Sequence, residues 1–141
     1  MENNSSCSIL LKQIHDVQEK NINNTLRNLD LTFSQINVLR ALVHSANKQM
    51  SLKELEKILH VAQSTTARIV TKMESKGLID SFSDVSDKRI KYIHLTQYGE
   101  QYSSNAKQKL EEEETRLLSS LTETEKIVFV SLLQKIASNL S

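Results

Sequence analysis

Six side chains whose types suit contact with nucleic acid lie between residues 63 and 72. They are Gln63, Ser64, Thr65, Thr66, Arg68 and Lys72. Gln can pair bidentately with adenine and Arg with guanine, while Ser, Thr and Lys contact phosphate. No Asp or Glu occurs from residue 62 to 73, so nothing in this stretch repels a phosphate backbone. A solvated helix face of any protein carries the same residue types, and the interpretation therefore depends on the surrounding elements.

Three sequences of the form Ser/Thr-x-x-Gln/Glu mark the starts of helices. They are Thr32–Gln35, Ser51–Glu54 and Thr122–Glu125. Each has the pattern of a capping box, in which the two side chains satisfy free amides at the helix start. Together with the spacing of apolar residues, they predict six helices, at about 7–29, 33–46, 52–59, 63–76, 97–121 and 123–139.

The fourth helix is expected to turn Ala67, Val70 and Met73 inward and to end at a left-handed Gly77. The stretch SDVSDKRIKYIHLT then changes from helical spacing to alternation. Two strands are predicted here, at about 78–82 and 89–95. On the second strand Lys91, Ile93 and Leu95 share one face, because successive side chains point to opposite faces of a sheet.

The tip of this hairpin carries Asp87, Lys88 and Arg89. An arginine at such a tip can enter a DNA minor groove, and Asp87 can hold its guanidinium in place. In an isolated hairpin the same residues would form only a solvated salt bridge. This hairpin, however, follows a short helix, a turn at about 60–63 and a second helix, which is the order of a winged helix-turn-helix.

The predicted fold class is therefore mainly α with a small β-hairpin wing. The recognition helix is expected at about 63–76, in the major groove, and the wing at about 78–95, in the minor groove. The DNA-binding residues expected from the two elements are Gln63, Ser64, Thr65, Thr66, Arg68, Lys72, Asp87, Lys88 and Arg89.

Charge and composition agree with this interpretation. The chain has 141 residues and a net charge of +1. Residues 51–109 hold ten basic and seven acidic side chains, whereas residues 110–141 hold three and six, so a phosphate-binding surface is expected in the middle. A single cysteine, no apolar run of membrane-spanning length and an N-terminus without the features of a secretory signal favour a cytoplasmic protein.

Neither enzymatic activity nor a cofactor is expected. The sequence shows no arrangement of nucleophile and base, and two glycines cannot form a Gly-rich phosphate loop. The four His and one Cys are not spaced as metal ligands, and the four glutamates at 111–114 are interpreted as a solvated helix face. Two classes remain: a DNA-binding regulator, or a winged-helix adaptor or antirepressor that binds protein without binding DNA.

The chain resembles the MarR family of bacterial transcription regulators over nearly its whole length. The resemblance rests on LTFSQINVL at the second helix, on STTARIVTKMESKGLI at the recognition helix, and on the wing, where Asp84-x-x-Asp87-x-Arg89 is followed by IHLTQYG. It implies a single domain, 1–141, with the winged part at about 32–96 and dimerisation helices at about 7–29 and 97–141. Val85 stands where the family often has proline.

The resemblance also implies a homodimer that binds a pseudo-palindromic operator, usually as a repressor released by a small molecule or by thiol oxidation. A dimer would account for apolar residues that a monomer has no use for, namely Leu10, Ile14 and Val17 in the first helix and much of the sixth.

Cys7 lies where thiol-sensing members of the family carry a cysteine. In some of them tyrosine hydroxyls from the first two helices fix the thiolate, but the comparable stretches here offer Ile22 and Phe33. Cys7 is therefore either a redox sensor or a small apolar residue. The sequence leaves this open, as it does the operator, the effector, the regulated genes and the choice between repression and activation.

Overall fold

The computed structural model describes residues 6–140, so the two ends of the expected domain, residues 1–5 and 141, lie outside the described residues. It has a mainly helical fold with a small antiparallel sheet, as predicted. The helices are α1 Cys7–Asn28, α2 Phe33–Val43, α3 Leu52–Leu59, α4 Gln63–Ser75, α5 Gln97–Leu117 and α6 Glu123–Leu140. The strands are β1 Gln49–Ser51, β2 Ile79–Ser83 and β3 Lys91–Leu95.

The three capping sequences begin helices where they were predicted to do so. The Thr32 hydroxyl accepts a hydrogen bond from the Gln35 amide, and the Gln35 side chain accepts one from the Thr32 amide, both at 3.1 Å. The same reciprocal pair forms at the start of α6. At the start of α3 the Ser51 hydroxyl accepts from the Glu54 amide at 3.1 Å. Each bond satisfies an amide that the helix itself leaves without a partner.

The sheet has three strands rather than the two of the predicted hairpin. The strand order is β1-β3-β2, and Met50 in β1 pairs with Ile93 in β3. The predicted second helix was too long: α2 ends at Val43, and a 3₁₀ turn at Ala46–Lys48 leads into β1. Asn47 and Lys48 have positive φ angles of 56° and 53°, which turn the chain at the end of the 3₁₀ segment, just before β1. β1 is too short to show alternation in the sequence.

The two wing strands are shifted slightly from their predicted positions. β2 runs one residue later than expected, and β3 begins at Lys91 rather than at Arg89. The last hydrogen bond between the two sides of the hairpin runs from the Asp84 amide to the Ile90 carbonyl. The Ile90 amide donates instead to the Asp87 carbonyl, within the turn. The alternation in β3 is confirmed, because Ile93 and Leu95 are buried while Tyr92 and His94 on the other face are only half-buried.

The hydrophobic core surrounds α2, from which Ile36, Leu39 and Leu42 are at most 2% exposed. It fixes the recognition helix and the base of the wing to the same scaffold, since both contribute to it. The other buried members are Leu26, Leu31, Val38, Met50, Leu55, Val70, Met73, Leu78, Ile79, Ile93, Leu95 and Ala106. The core is thus built almost entirely from Leu, Ile, Val and Met, as the low aromatic content predicts.

Two helices leave apolar side chains uncovered in the single chain. No residue of α6 is buried, and Ile127, Ile136 and Leu140 are 72%, 50% and 80% exposed. The first half of α1 likewise exposes Ile14 and Val17. α5 ends at Leu117, four residues before the predicted end, and a turn leads to α6. Among residues 6–140 no helix is both long and apolar enough to span a membrane.

Candidate DNA-binding surface

The outward face of α4 is a row of small polar side chains around one arginine. Ser64, Arg68, Thr71 and Ser75 follow one another at intervals of four, three and four residues, and all are exposed. This spacing puts them on one side of a helix. Ser64 and Arg68 are among the residues predicted from the sequence to contact DNA, whereas Thr71 and Ser75 are not, although the same helical spacing, extended by two turns, includes them.

The inward face of α4 corrects the sequence prediction by one residue. Thr66, Val70 and Met73 form the buried stripe, whereas Ala67, expected inside, is exposed. Thr66 was expected at the DNA and is only 1% exposed. Its hydroxyl donates to the Ala62 carbonyl at 3.3 Å, which satisfies the polar group inside the core. Thr66 therefore cannot contact DNA and is removed from the candidate residues.

The remaining candidates on α4 occupy two flanks of the helix. Gln63, which is exposed, lies on the side of Ala67 and Glu74, where the Ser81 hydroxyl of β2 donates to Glu74 at 2.7 Å. This flank therefore faces the wing. Lys72 lies on the opposite flank with Thr65 and Lys76, and the Lys76 ammonium donates to Gln35 of α2 at 3.2 Å. One flank of α4 thus faces the wing, and the other faces α2.

The turn that precedes α4 leaves the start of the helix open. His60 takes a left-handed conformation with φ of 53°, and α4 begins three residues later. Ala62 is the N-cap residue, and it has no side chain that could accept from the first amides. Such amides, together with the positive end of the helix dipole, favour an anion such as a DNA phosphate.

Asp84 organises the wing tip. Its Oδ2 atom accepts from the Ser86 hydroxyl at 2.6 Å, from the Ser86 amide at 3.1 Å and from the Asp87 amide at 3.0 Å. These donors, the Ser86 hydroxyl first, hold the pKa of Asp84 below its ordinary value. The tip therefore has a defined loop, even though Val85 at its end is fully exposed.

Arg89 and Asp87 form the ion pair that the sequence predicts at this tip. The Arg89 Nε and Nη2 atoms donate to the two carboxylate oxygens of Asp87 at 3.0 and 3.1 Å. The Arg89 side chain is 90% exposed, so its guanidinium is held outward. This pairing lowers the pKa of Asp87 and raises that of Arg89, which keeps both groups charged. Lys88 beside them is also exposed.

Cys7 begins α1 and is exposed, well away from α4 and the wing in the chain. Ile22 and Phe33, the residues at the positions comparable with the family tyrosines, provide no hydroxyl. Within residues 6–140 no three His, Cys, Asp or Glu side chains come together as a group that could hold a metal ion.

The family comparison agrees with this geometry. The family model described as "MarR family" matches residues 31–91, from just before α2 to the first residue of β3. The winged helix-turn-helix of this chain belongs to the MarR family. Among the curated relatives of this chain is the uncharacterized HTH-type transcriptional regulator YxaD of Bacillus subtilis. It is 34% identical over 84 residues, which are 60% of this chain and 59% of YxaD.

This chain spans about half to two thirds of the length of the first curated relatives that it matches. Solved structures match more completely. A mutant of MepR from S. aureus is 26% identical with a TM-score of 0.83, over 96% of this chain and 99% of that one. A mutant of MarR from E. coli complexed with operator DNA is 26% identical with a TM-score of 0.75, over 90% of each chain.

Proposed function

We propose that this chain is a homodimeric transcriptional repressor that binds a pseudo-palindromic DNA operator. Two observations carry the proposal: the exposed face of α4, formed by Ser64, Arg68, Thr71 and Ser75, and the outward-held Arg89 of the wing that follows α4. α4 enters the major groove, and the wing places Arg89 in the adjacent minor groove. The E. coli MarR structure supports the proposal, since it shares the fold and was solved with operator DNA.

Different residues of this surface have different tasks. Arg68 and Gln63 read base edges, because their side chains offer the paired hydrogen bonds that guanine and adenine require. Lys72 and Lys88 contact phosphates, and so do the hydroxyls of Ser64 and Thr65. Asp87 does not contact the DNA directly; it orients the Arg89 side chain. To these residues, expected from the sequence, the structure adds Thr71 and Ser75 on the same face of α4.

Dimerisation supplies the second half of the binding site. The winged part, about 32–96, carries the DNA contacts, and the helices at about 7–29 and 97–141 form the dimer interface. The exposed apolar side chains of α6 and of the first half of α1 support this division, because contiguous apolar patches of this kind are rare on monomers. A twofold partner would set the two recognition helices one DNA turn apart, roughly 34 Å.

Release from the operator follows a small-molecule or oxidative signal. α2 and α5 form a cleft of about 260 Å³ with Arg40, His44, Lys107 and Glu111 in its walls. A ligand lodged there, between the dimerisation helices and the winged part, would change the spacing of the two recognition helices. Oxidation of the exposed Cys7 is the second route. The protein would act in the cytoplasm, and at the nucleoid when bound to DNA.

Fluorescence anisotropy with DNA that flanks the protein's own gene tests the proposal. We expect tight, salt-dependent binding to one site and much weaker binding to random DNA. Arg68→Ala should relax the preference for particular bases. Lys72→Ala should weaken binding to all DNA sequences alike and lower by ~1 the slope of the logarithm of the binding constant against the logarithm of the salt concentration.

Two results would contradict this function. If both variants lose affinity equally for specific and random DNA, α4 does not read bases. If a folded wild-type protein binds neither DNA, the alternative of a protein-binding adaptor or antirepressor is favoured.

A further inference from the structure

A cleft of about 620 Å³ lies against the flank of α4 that faces away from the wing. Its walls are formed by the end of α1, the start of α2 and the second half of α4. The side chains that decide its chemistry are Asn23, Arg27, Asp30, Phe33, Lys72 and Lys76. A cavity of this size is in the range that holds small organic ligands. It is separate from the cleft between α2 and α5 described above.

The cleft contains more positive charge than its own residues neutralise. Lys76 is already engaged, because its ammonium donates to the Asp30 carbonyl and to Gln35 and lies 3.7 Å from the Asp30 carboxylate. Arg27 and Lys72 differ from it. Within the part of the chain that the structure describes, neither of these two side chains has a hydrogen bond or an ion pair. Two uncompensated cations therefore reach one cavity from different walls, α1 and α4.

The lining also offers an apolar surface and a hydrogen-bonding group. Phe33, at the start of α2, is 50% exposed although it is a large aromatic side chain. Its ring can cover the flat apolar part of a ligand, and the Asn23 amide can donate or accept. A guanidinium binds a phosphate with two parallel hydrogen bonds, and an ammonium adds a point charge. A phosphate monoester carries close to two negative charges at neutral pH and so matches both cations, whereas a carboxylate matches one.

We propose that this cleft binds a small phosphate monoester with a flat apolar body, and that the bound phosphate competes with DNA for Lys72. The cleft reaches the recognition helix directly through Lys72, so no movement of the dimer is needed for the competition. Only the competition rests on the proposed function; occupation of the cleft by the ligand does not depend on DNA binding.

Phenyl phosphate is a suitable probe, because it combines one phosphate monoester with one flat ring. Calorimetric titration of the DNA-free, full-length protein should show binding of phenyl phosphate, and weaker binding of benzoate, phenol and inorganic phosphate. Arg27→Gln should weaken the binding of phenyl phosphate about tenfold, the size expected for loss of a charged hydrogen-bonding partner. Lys20→Gln is the matched control, since it removes one positive charge from the same helix outside the cleft.

Three results would overturn the ligand site. They are the absence of phenyl phosphate binding by folded wild-type protein, equal weakening by Arg27→Gln and Lys20→Gln, and a benzoate affinity equal to that of phenyl phosphate. The proposal requires that Arg27→Gln responds and that Lys20→Gln does not.

A second titration, with operator DNA, tests the competition. Phenyl phosphate should weaken DNA binding by the wild type but not by Arg27→Gln, whose affinity for DNA without ligand should be unchanged. If Arg27→Gln weakens DNA binding and phenyl phosphate does not bind, the cleft holds a backbone phosphate and the small-molecule site is refuted. If the protein binds phenyl phosphate but no DNA, the proposed function and the competition are refuted while the ligand site stands.

Discussion

Gly99, in the first turn of α5, lies directly against the carbonyl group of Leu78 at the base of the wing. A β-carbon at position 99 would overlap the Leu78 oxygen and press on the Leu95 side chain. Thr96 closes the same junction: its amide donates to the Leu78 carbonyl, and its hydroxyl donates to the Gly77 carbonyl at 2.6 Å and accepts from the Gly99 amide at 2.9 Å. Three segments are thus in close backbone contact here: the end of α4, the end of β3 and the start of α5.

Gly99→Ala should destabilise the protein by about 2–3 kcal/mol, since backbone rather than a flexible side chain occupies the space that the methyl group needs. Urea unfolding followed by circular dichroism measures the change. Gly77→Ala is the matched control: an added methyl group there meets only Tyr98 Cδ1, at an ordinary contact distance of 3.9 Å, so the left-handed φ of 75° is the unfavourable feature. That cost is about 1 kcal/mol. A smaller loss for Gly99→Ala than for Gly77→Ala would show that α5 shifts freely.

Thr66 and Thr71 provide the same substitution on opposite faces of the recognition helix. Thr71→Val should weaken operator binding by about 0.5–1.5 kcal/mol, because it removes an exposed hydroxyl from the groove-facing side. Thr66→Val should leave DNA affinity and base preference unchanged, since the side chain is buried. Anisotropy titrations of both variants decide the matter. If Thr66→Val weakened DNA binding more than Thr71→Val did, the orientation of α4 would differ from the one described.

Arg89→Ala should weaken operator binding by about 1–3 kcal/mol while the secondary structure and the oligomeric state stay as in the wild type. The guanidinium is held outward by Asp87 and is available to a narrow groove of negative potential. Lys91→Ala, which removes an exposed positive charge from β3 just beyond the tip, controls for net charge. Equal affinity of Arg89→Ala and wild type at moderate salt would rule out a role of the wing in the minor groove.

Leu133→Asp should give monomers or aggregates that no longer bind the operator. Leu133 lies on the apolar side of α6, and a carboxylate there would have to be buried in the proposed dimer. Ser131→Asp adds a carboxylate to the same exposed helix on its polar side, next to Lys135 and in line with Thr124, and should remain dimeric. Light scattering measures both. A wild-type protein that is a well-folded monomer at micromolar concentration would eliminate the dimer and the spacing mechanism.

The wing tip should keep its structure down to about pH 4 and lose it only in stronger acid. The folded pKa of Asp84 lies below the ordinary value of 3.8, so its contribution to stability is complete above that value and is lost as the pH falls through the folded pKa. Carbon-13 NMR of the Asp84 carboxyl should show a midpoint below 3.8. Ser86→Ala should raise that midpoint by removing the main donor, and Ser83→Ala, in β2, should not. A wild-type midpoint at or above 3.8 would contradict the loop geometry.

The sequence by itself determined the elements whose signals are local. Thr32, Ser51 and Thr122 start helices because a capping side chain reaches an amide only three residues away. The alternation in β3 is equally local, because it repeats every two residues. The ion pair between Asp87 and Arg89 is local too, since the two residues are two positions apart. The left-handed Gly77 after α4 belongs to the same group.

Only the tertiary structure decided what depends on packing between distant segments. Thr66 is predicted from the sequence to lie at the surface, but the orientation of α4 buries the Thr66 side chain, whose hydroxyl donates to the Ala62 carbonyl. β1 forms because a partner strand some 40 residues later offers its free edge, and three residues carry no periodic signal of their own. The cleft between Arg27 and Lys72 has the same origin, since helices far apart in the chain meet there.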